Sequence, residues 1–213
     1  TTAGTFAAAQ AKLADLKALG VDIVWLMPIF ERGTDYPASP YAVKDYYTLS
    51  SKYGDLGALK AFIDEAHNQD IKVIIDWVAN HTATNANWVT EHPEYYAKDG
   101  ENFIHPNNYE DVYQLNLLSN DVQSAMIEAM KYWVKSTAID GFRCDMVEGY
   151  ANWLPATFWS RAINELKVSN ANLIFLGETD LVKDHDKAVE LRYVGFDYDY
   201  AWQLQEEALA KNI

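Results

Sequence analysis

The stretch GFRCDMVEG, residues 141–149, places an arginine and an aspartate two positions apart in an otherwise apolar run. Side chains of a β-strand alternate between its two faces, so Arg143 and Asp145 point to one side and Phe142 and Cys144 to the other. Charges inside a core are costly unless they are paired. The stretch therefore predicts a buried strand that carries either a structural ion pair or a carboxylate held in place for chemistry.

Two further apolar runs of the chain also end in a carboxylate. KVIID ends at Asp76, and LIFLGE ends at Glu178. Segments with helical spacing of apolar residues alternate with these runs, among them DVQSAMIEAMKYWVKSTA and GDLGALKAFIDEAHNQD, which has Leu59, Phe62, Ile63 and Ala66 on one face. Helices are also predicted at residues 6–20, 187–193 and 203–211. This alternation of helices and buried strands predicts a parallel sheet with crossover helices.

The spacing of the strands favours a barrel. Asp145 and Glu178 are 33 residues apart, close to the ~30 residues per unit of an eight-unit barrel. About five strands are visible, at residues 21–29, 71–76, 139–145, 172–178 and 195–202. We therefore predict an α/β fold, a partial (β/α)8 TIM barrel of parallel strands that lacks roughly the first and the last strands.

Residues 82–114 interrupt the alternation. They show little periodicity, are rich in Asn, Tyr and Pro, and are far longer than an ordinary loop between a strand and a helix. We interpret them as a short inserted segment after the third barrel strand. Residues 1–81 and 115–213 would form the barrel portion.

The charge and cysteine content of the chain indicate which kinds of ligand it can bind. The 213 residues carry a formal net charge of −14, which argues against nucleic acid and anionic membranes and is compatible with a neutral ligand. The single cysteine excludes an internal disulfide and a cysteine metal cluster. The chain starts with TTAGTF and no methionine, which predicts that upstream residues have been removed. A secreted or periplasmic location is favoured over a cytoplasmic one.

The carboxylates at the strand ends should converge, because the carboxyl ends of parallel barrel strands share one face. Such a group could bind a divalent metal, as in a barrel lyase, or act as the nucleophile and general acid of a glycoside hydrolase. Arg143 favours the second, since a cation there lowers the pKa of Asp145 and opposes a metal. The apolar run before Glu178 predicts a raised pKa for that acid. A retaining pair would hold its carboxyl groups ~5–5.5 Å apart.

Three motifs in order resemble those of the α-amylase family of retaining glycoside hydrolases. DWVANHT, residues 76–82, is similar to its first conserved region, GFRCD to its second, and GETD to its third. SPYAVKDYYTLSSKYG and DVYQLNLLSNDVQ match flanking segments, and the similarity is collinear from about residue 6 to residue 202.

The resemblance implies a role for each matching position. Asp145 would be the nucleophile, Glu178 the acid/base and Arg143 the residue that orients Asp145. Three positions would complete the substrate-binding set: His81, which would bond the sugar, Tyr46, which would stack beneath it, and Asp76, which would pair near Arg143. Asn80 would support the inserted segment or a calcium ion.

The resemblance also implies an α-linked oligo- or polysaccharide substrate, such as starch or maltodextrin. The family's His-Asp region is missing from the chain, and Gln114 stands where an aspartate is common. Glu148 and Gly149 stand where many starch-cleaving members have Lys-His, which leaves transfer open beside hydrolysis. The alternatives are an inactive or self-assembling barrel fragment; we expect a homo-oligomer or part of a longer chain.

Overall fold

The computed structural model describes residues 4–35, 39–149, 153–179 and 194–200. Within them lie strands β1 (Ile23–Leu26), β2 (Phe30–Arg32), β3 (Val43–Leu49), β4 (Lys72–Trp77), β5 (His81–Ala83), β6 (Lys98–Asp99), β7 (Asn102–Phe103), β8 (Val112–Gln114), β9 (Gly141–Cys144), β10 (Ile174–Glu178) and β11 (Tyr198–Tyr200). The α-helices are α1 (Phe6–Gln10), α2 (Leu13–Ala18), α3 (Leu56–Asn68), α4 (Asn87–Glu91), α5 (Asn120–Thr137) and α6 (Ala156–Ser169). Two 3₁₀ turns, Pro93–Tyr95 and Pro106–Asn108, complete the described elements.

Five strands form one parallel sheet in the order β1-β4-β9-β10-β11. Strand β9 is buried along its whole length, and β4 is buried from its second residue onward, as expected for strands covered on both faces. Cys144 pairs with Gly177, so Asp145 and Glu178 follow side by side at the carboxyl edge. The five predicted strands are confirmed.

The helices predicted between these strands are also present. Helix α3 begins after Asp55, whose side chain accepts a hydrogen bond from the Ala58 amide and so caps the helix. Its predicted apolar face is buried and consists of Leu59, Phe62, Ile63 and Ala66. Helices α5 and α6 bury comparable faces. No helix among the described residues combines the length and apolar character needed to cross a membrane.

The inserted segment has structure of its own that its composition does not reveal. Strand β5 pairs antiparallel with β8, and β6 pairs with β7 in a two-residue hairpin. A further antiparallel pair, β2 with β3, lies outside the parallel sheet. These strands were not predicted. All but β3 have only two or three residues, too few to show an alternating pattern, and the burial of the seven residues of β3 does not alternate strictly.

One predicted helix is divided. The segment at residues 6–20 forms α1 and α2, because the Lys12 amide bonds the Ala9 carbonyl and tightens the chain into a turn between them. The helices predicted at residues 187–193 and 203–211 lie outside the described residues.

Candidate active site

One buried guanidinium gathers three carboxylates at the carboxyl edge of the parallel sheet. Arg143 Nη1 donates to Asp76 Oδ1 at 2.9 Å and to Asp145 Oδ1 at 3.0 Å. Arg143 Nη2 lies 2.8 Å from Glu178 Oε2. The arginine is only 1% exposed. The expected convergence of these four residues is therefore what the structure shows.

Asp76 lies on the buried side of this cluster, where it is fully enclosed by other side chains. Its Oδ2 accepts hydrogen bonds from Trp25 Nε1 and from the Tyr41 hydroxyl, both at 3.1 Å. The Arg143 guanidinium also lies over the Trp25 ring, 4.6 Å from its centroid. Burial raises the pKa of Asp76 to about 6, although Arg143 and the hydrogen bonds from Tyr41 and Trp25 oppose the rise. Because Asp76 is fully buried among these partners, the structure does not support a direct substrate contact for it.

Asp145 and Glu178 meet at the two ends of one guanidinium. Asp145 Oδ1 lies 3.0 Å from Arg143 Nη1, and Glu178 Oε2 lies 2.8 Å from Arg143 Nη2. The two carboxyls are close enough for the charge of Glu178 to raise the pKa of Asp145. The two side chains therefore face one site, as a pair of catalytic carboxylates requires.

Arg143 lowers the pKa of Asp145 as expected, but the expectation that the net shift is downward is wrong. Burial raises the pKa of Asp145, Arg143 lowers it, and the charges of Asp76 and Glu178 raise it further. Desolvation has the largest effect because Asp145 is only 7% exposed. The opposing effect of Arg143 is limited, since this cation also pairs with Asp76 and Glu178.

The backbone after β9 helps to hold Glu178. The Met146 amide donates to Glu178 Oε2 at 3.0 Å, and the Val147 amide donates to the Glu178 carbonyl at 3.1 Å. Met146 adopts a positive φ of 43°, a conformation that is uncommon outside glycine and is found at functional sites. Sequence reasoning missed this contact, because nothing in a methionine signals it.

His81 lies beside the carboxylates as a neutral imidazole. Burial lowers the pKa of His81 to about 4, against an opposing effect of the Asp111 charge. Asn80 Nδ2 lies 3.2 Å from His81 Nδ1. Because an amide nitrogen can only donate, Nδ1 accepts and the ring proton lies on Nε2. A hydrogen bond between the ring and the Tyr41 backbone also opposes the fall in the pKa of His81.

We expect His81→Gln to change how stability depends on pH. The pKa of His81 is depressed in the fold, so its stabilisation is complete above the unfolded value near 6.5 and is lost as pH falls through about 4. The advantage of the wild type over the variant should therefore shrink by about 3 kcal/mol between pH 7 and pH 4. Urea unfolding at several pH values measures this change, with His92→Gln, a substitution at a half-exposed histidine outside the cavity, as control. A difference that does not change with pH would contradict this account.

Tyr46 does not occupy the sugar position that the resemblance implied. Its hydroxyl donates to the backbone carbonyls of Val78 and His81, at 2.6 and 3.1 Å. Its ring packs against Trp77 and Trp88, and the residue is 3% exposed. Tyr41, five positions earlier, lines the cavity and bonds Asp76. Because Tyr46 is buried among aromatic side chains of the core and Tyr41 lines the cavity, Tyr41 is the better candidate for sugar contact.

A cavity of about 380 Å³ opens over Asp145, whereas Asp76 and Glu178 do not line it. His81, Asp145 and Met146 contribute to its lining, and the other lining residues are Ser39, Tyr41, Ala42, Tyr109, Asp111 and Val112. Its size and its mixture of apolar walls with a few polar groups are those of a small-ligand site. Sequence reasoning missed Tyr109 and Asp111, because their segment carries no periodic signal.

The residues around Asn80 do not fit a calcium ion. Gln114 Nε2 lies 2.8 Å from the Asn80 carbonyl and 3.0 Å from both Asn80 Oδ1 and the Leu115 carbonyl. An amide N–H₂ group thus faces the oxygens that a cation would need. Within the described ranges, no three His, Cys, Asp or Glu side chains come together as metal ligands. The expected metal role of Asn80 therefore has no support here.

We expect Gln114→Glu to convert this hydrogen-bonded cluster into a calcium-dependent one. A carboxylate facing three acceptor oxygens loses the donated hydrogen bonds, so the free energy of unfolding should fall by about 2–3 kcal/mol in chelator. Millimolar Ca²⁺ should restore it, because the new carboxylate completes an oxygen site. Thermal unfolding with EDTA and with Ca²⁺ measures both effects. Wild-type protein should respond to neither; its stabilisation by Ca²⁺ would mean that the Gln114 oxygen faces the cluster instead.

Comparison with known proteins relates the chain to one family. Residues 1–117 match the family model described as alpha amylase, catalytic domain. The chain is 31% identical over 170 residues to the oligo-1,6-glucosidase of Parageobacillus thermoglucosidasius, across 64% of the chain and 30% of that protein. The same figures hold for the trehalose-6-phosphate hydrolase of Bacillus subtilis strain 168. An alpha-amylase structure from Lactobacillus plantarum superposes with a TM-score of 0.81 at 31% identity, covering 92% of the chain and 49% of that structure.

These likenesses confirm the predicted fold class. The five-stranded parallel sheet is part of the barrel that alpha-amylases contain. The chain spans 30% of the length of the two curated relatives and about half of the solved amylase.

Proposed function

Because the chain belongs to the alpha-amylase family, we propose that it carries the catalytic pair of a retaining glycoside hydrolase that acts on α-glucans. The observation that carries this proposal is the meeting of Asp145 and Glu178 on the one guanidinium of Arg143, beside the cavity. Asp145 is the nucleophile and Glu178 the general acid/base. Arg143 orients both, and Tyr41 and His81 contact the sugar from the cavity wall.

The chemistry takes two displacements. In the first, an Asp145 carboxylate oxygen attacks the anomeric carbon while Glu178 gives its proton to the departing glycosidic oxygen, which takes the bonding electron pair. In the second, Glu178 removes a proton from water, and the water oxygen attacks the same carbon and releases the Asp145 carboxylate.

The charge of Arg143 suits this cycle. The first step requires Asp145 ionised and Glu178 protonated, and the Arg143 charge favours the ionised form of Asp145. In the reacting complex the two carboxyls stand ~5–5.5 Å apart, with the anomeric carbon and the glycosidic oxygen between them. His81, neutral at pH 7, contacts the sugar from the cavity wall.

The substrate class follows from the family and the cavity. The two curated relatives are named for α-glucosidic substrates, one a neutral oligosaccharide and the other a phosphorylated disaccharide. We propose a neutral α-glucan or maltodextrin, with water as the acceptor in preference to a second sugar.

The two outer strands of the described parallel sheet can pair with further strands. Within the described residues, β1 and β11 each pair with a strand on one side only, and open edges invite pairing. We propose that further barrel strands of a longer protein, or a second copy, cover these edges. Light scattering on protein of verified mass separates the two arrangements.

Product stereochemistry tests the proposed function. Fresh maltooligosaccharide given to the intact protein should yield product that first appears as the α-anomer in proton NMR, before mutarotation. A β-anomer as the first product would mean inversion and would overturn the pair of displacements. Absence of cleavage on α-1,4- and α-1,6-linked substrates would overturn the substrate class.

A further inference from the structure

The charges that line the cavity are all negative among the described residues. Asp111 and Asp145 are its ionisable acids, and its other lining residues are uncharged near pH 7, including His81 with its lowered pKa. Lysine and arginine are missing from this described lining. The mechanism uses Asp145 but gives no task to Asp111.

Asp111 belongs to the inserted segment, and two hydrogen bonds hold it at the cavity wall. Its backbone carbonyl accepts a hydrogen bond from the Thr84 amide at 3.2 Å, which extends the pairing of β5 with β8. Its Oδ2 accepts from the Ser39 amide at 3.4 Å. The carboxylate is half-buried, so it keeps acceptor capacity toward the cavity and sits close enough to His81 to act on its charge.

Arg143, the cation beneath the cavity, does not neutralise the negative charge of Asp111. Arg143 already forms ion pairs with Asp76, Asp145 and Glu178. It is also almost fully buried. Three carboxylates therefore share one guanidinium, and Asp111 adds a further negative charge on the cavity side. From the described lining residues, a ligand that enters meets negative charge in a partly desolvated space, where charges act strongly.

We propose that Asp111 is a specificity-determining residue that makes the cavity accept neutral α-glucosides and reject those whose bound sugar carries a phosphate. Its carboxylate accepts hydrogen bonds from sugar hydroxyls and repels a phosphate at the same place. This inference rests on the proposed function for the class of ligand. A phosphate ~6 Å from one carboxylate, at an effective dielectric constant of ~20, loses more than about tenfold in affinity.

Kinetics on a matched pair of substrates test it. The intact protein is assayed on 4-nitrophenyl α-D-glucoside and on its 6-phosphate at low ionic strength. Wild type should favour the neutral substrate, and Asp111→Asn should reduce that preference in kcat/KM by about tenfold or more. Glu110→Gln removes the adjacent exposed carboxylate, which does not line the cavity, and should keep the wild-type preference. An unchanged preference in Asp111→Asn, or a wild type that favours the phosphate, overturns the proposal.

A binding measurement separates this inference from the proposed function. Titration calorimetry on Glu178→Gln, which keeps the Asp145 charge, compares maltose with maltose 6′-phosphate. Tighter binding of maltose that depends on Asp111 supports the selection even if no hydrolysis is seen, in which case only the proposed function fails. Equal affinity for the two sugars overturns the selection even in an active hydrolase.

Discussion

Replacing Arg143 by methionine should lower the free energy of unfolding by about 3–5 kcal/mol at pH 7. The variant leaves Asp76, Asp145 and Glu178 buried at one place without their shared cation. The pKa values of Asp76 and Asp145 are already raised by burial, and loss of the cation raises them further. Wild type and variant both hold these carboxyls protonated near pH 4, so the deficit should be small there. It should grow as pH rises through the wild-type folded pKa of Asp76, about 6, and then through the raised pKa of Asp145. Urea unfolding across this range measures it.

Two controls make the Arg143 result specific. Arg161→Met breaks a half-exposed pair with Glu165 on α6 and should cost no more than about 1 kcal/mol, since surface pairs contribute little. Adding Asp76→Asn to Arg143→Met removes one of the orphaned charges and should recover part of the loss. A deficit below about 1 kcal/mol for Arg143→Met, equal at pH 4 and pH 7, would contradict the shared-cation arrangement.

Neutralising the catalytic pair should have the largest effect on turnover. Asp145→Asn should lower kcat by about 10⁴-fold or more, because no nucleophile remains to form the covalent intermediate. Glu178→Gln should lower kcat by about 10²–10⁴-fold on a natural glucan, where protonation of the leaving oxygen is needed. The loss for Glu178→Gln should be smaller in the glycosylation step of a 4-nitrophenyl glucoside, whose leaving group needs little protonation. Initial rates and pre-steady-state kinetics on both substrates measure these differences.

The control for this pair is Glu128→Gln on α5, an exposed carboxylate that pairs with Lys131. It should leave kcat within about twofold of wild type, because surface substitutions away from special contacts have small effects. Equal losses for Glu178→Gln on both substrates would argue against its role as the acid.

The parallel sheet and the convergence of its carboxylates could be predicted from the sequence for a simple reason. Strands buried on both faces leave long apolar runs, and Asp76, Asp145 and Glu178 mark where three such runs end. The period of two also placed Arg143 and Asp145 on one face, and the structure joins them at 3.0 Å. These features depend on local pattern alone.

The features that could not be predicted depend on tertiary contacts. Tyr41 and Tyr46 lie five positions apart in one motif, and only the packing of Trp77 and Trp88 around Tyr46 decides which one reaches the cavity. The raised pKa of Asp145 follows from how deeply the cluster is buried, which spacing does not reveal. Asp111 and Gln114 sit in a segment without periodicity, so their positions required the fold of β5 and β8.

The most direct test of the central claim is covalent capture of the nucleophile. A 5-fluoro-α-D-glucosyl fluoride forms its glycosyl-enzyme faster than water releases it. The ring fluorine destabilises the positively charged transition states of both steps, whereas the reactive fluoride leaving group speeds only the first. Peptide mass spectrometry of the intact protein treated with this reagent should find one glycosyl ester, on Asp145, and none in Asp145→Asn. An ester on another residue, or an active protein that never forms one, would contradict the account.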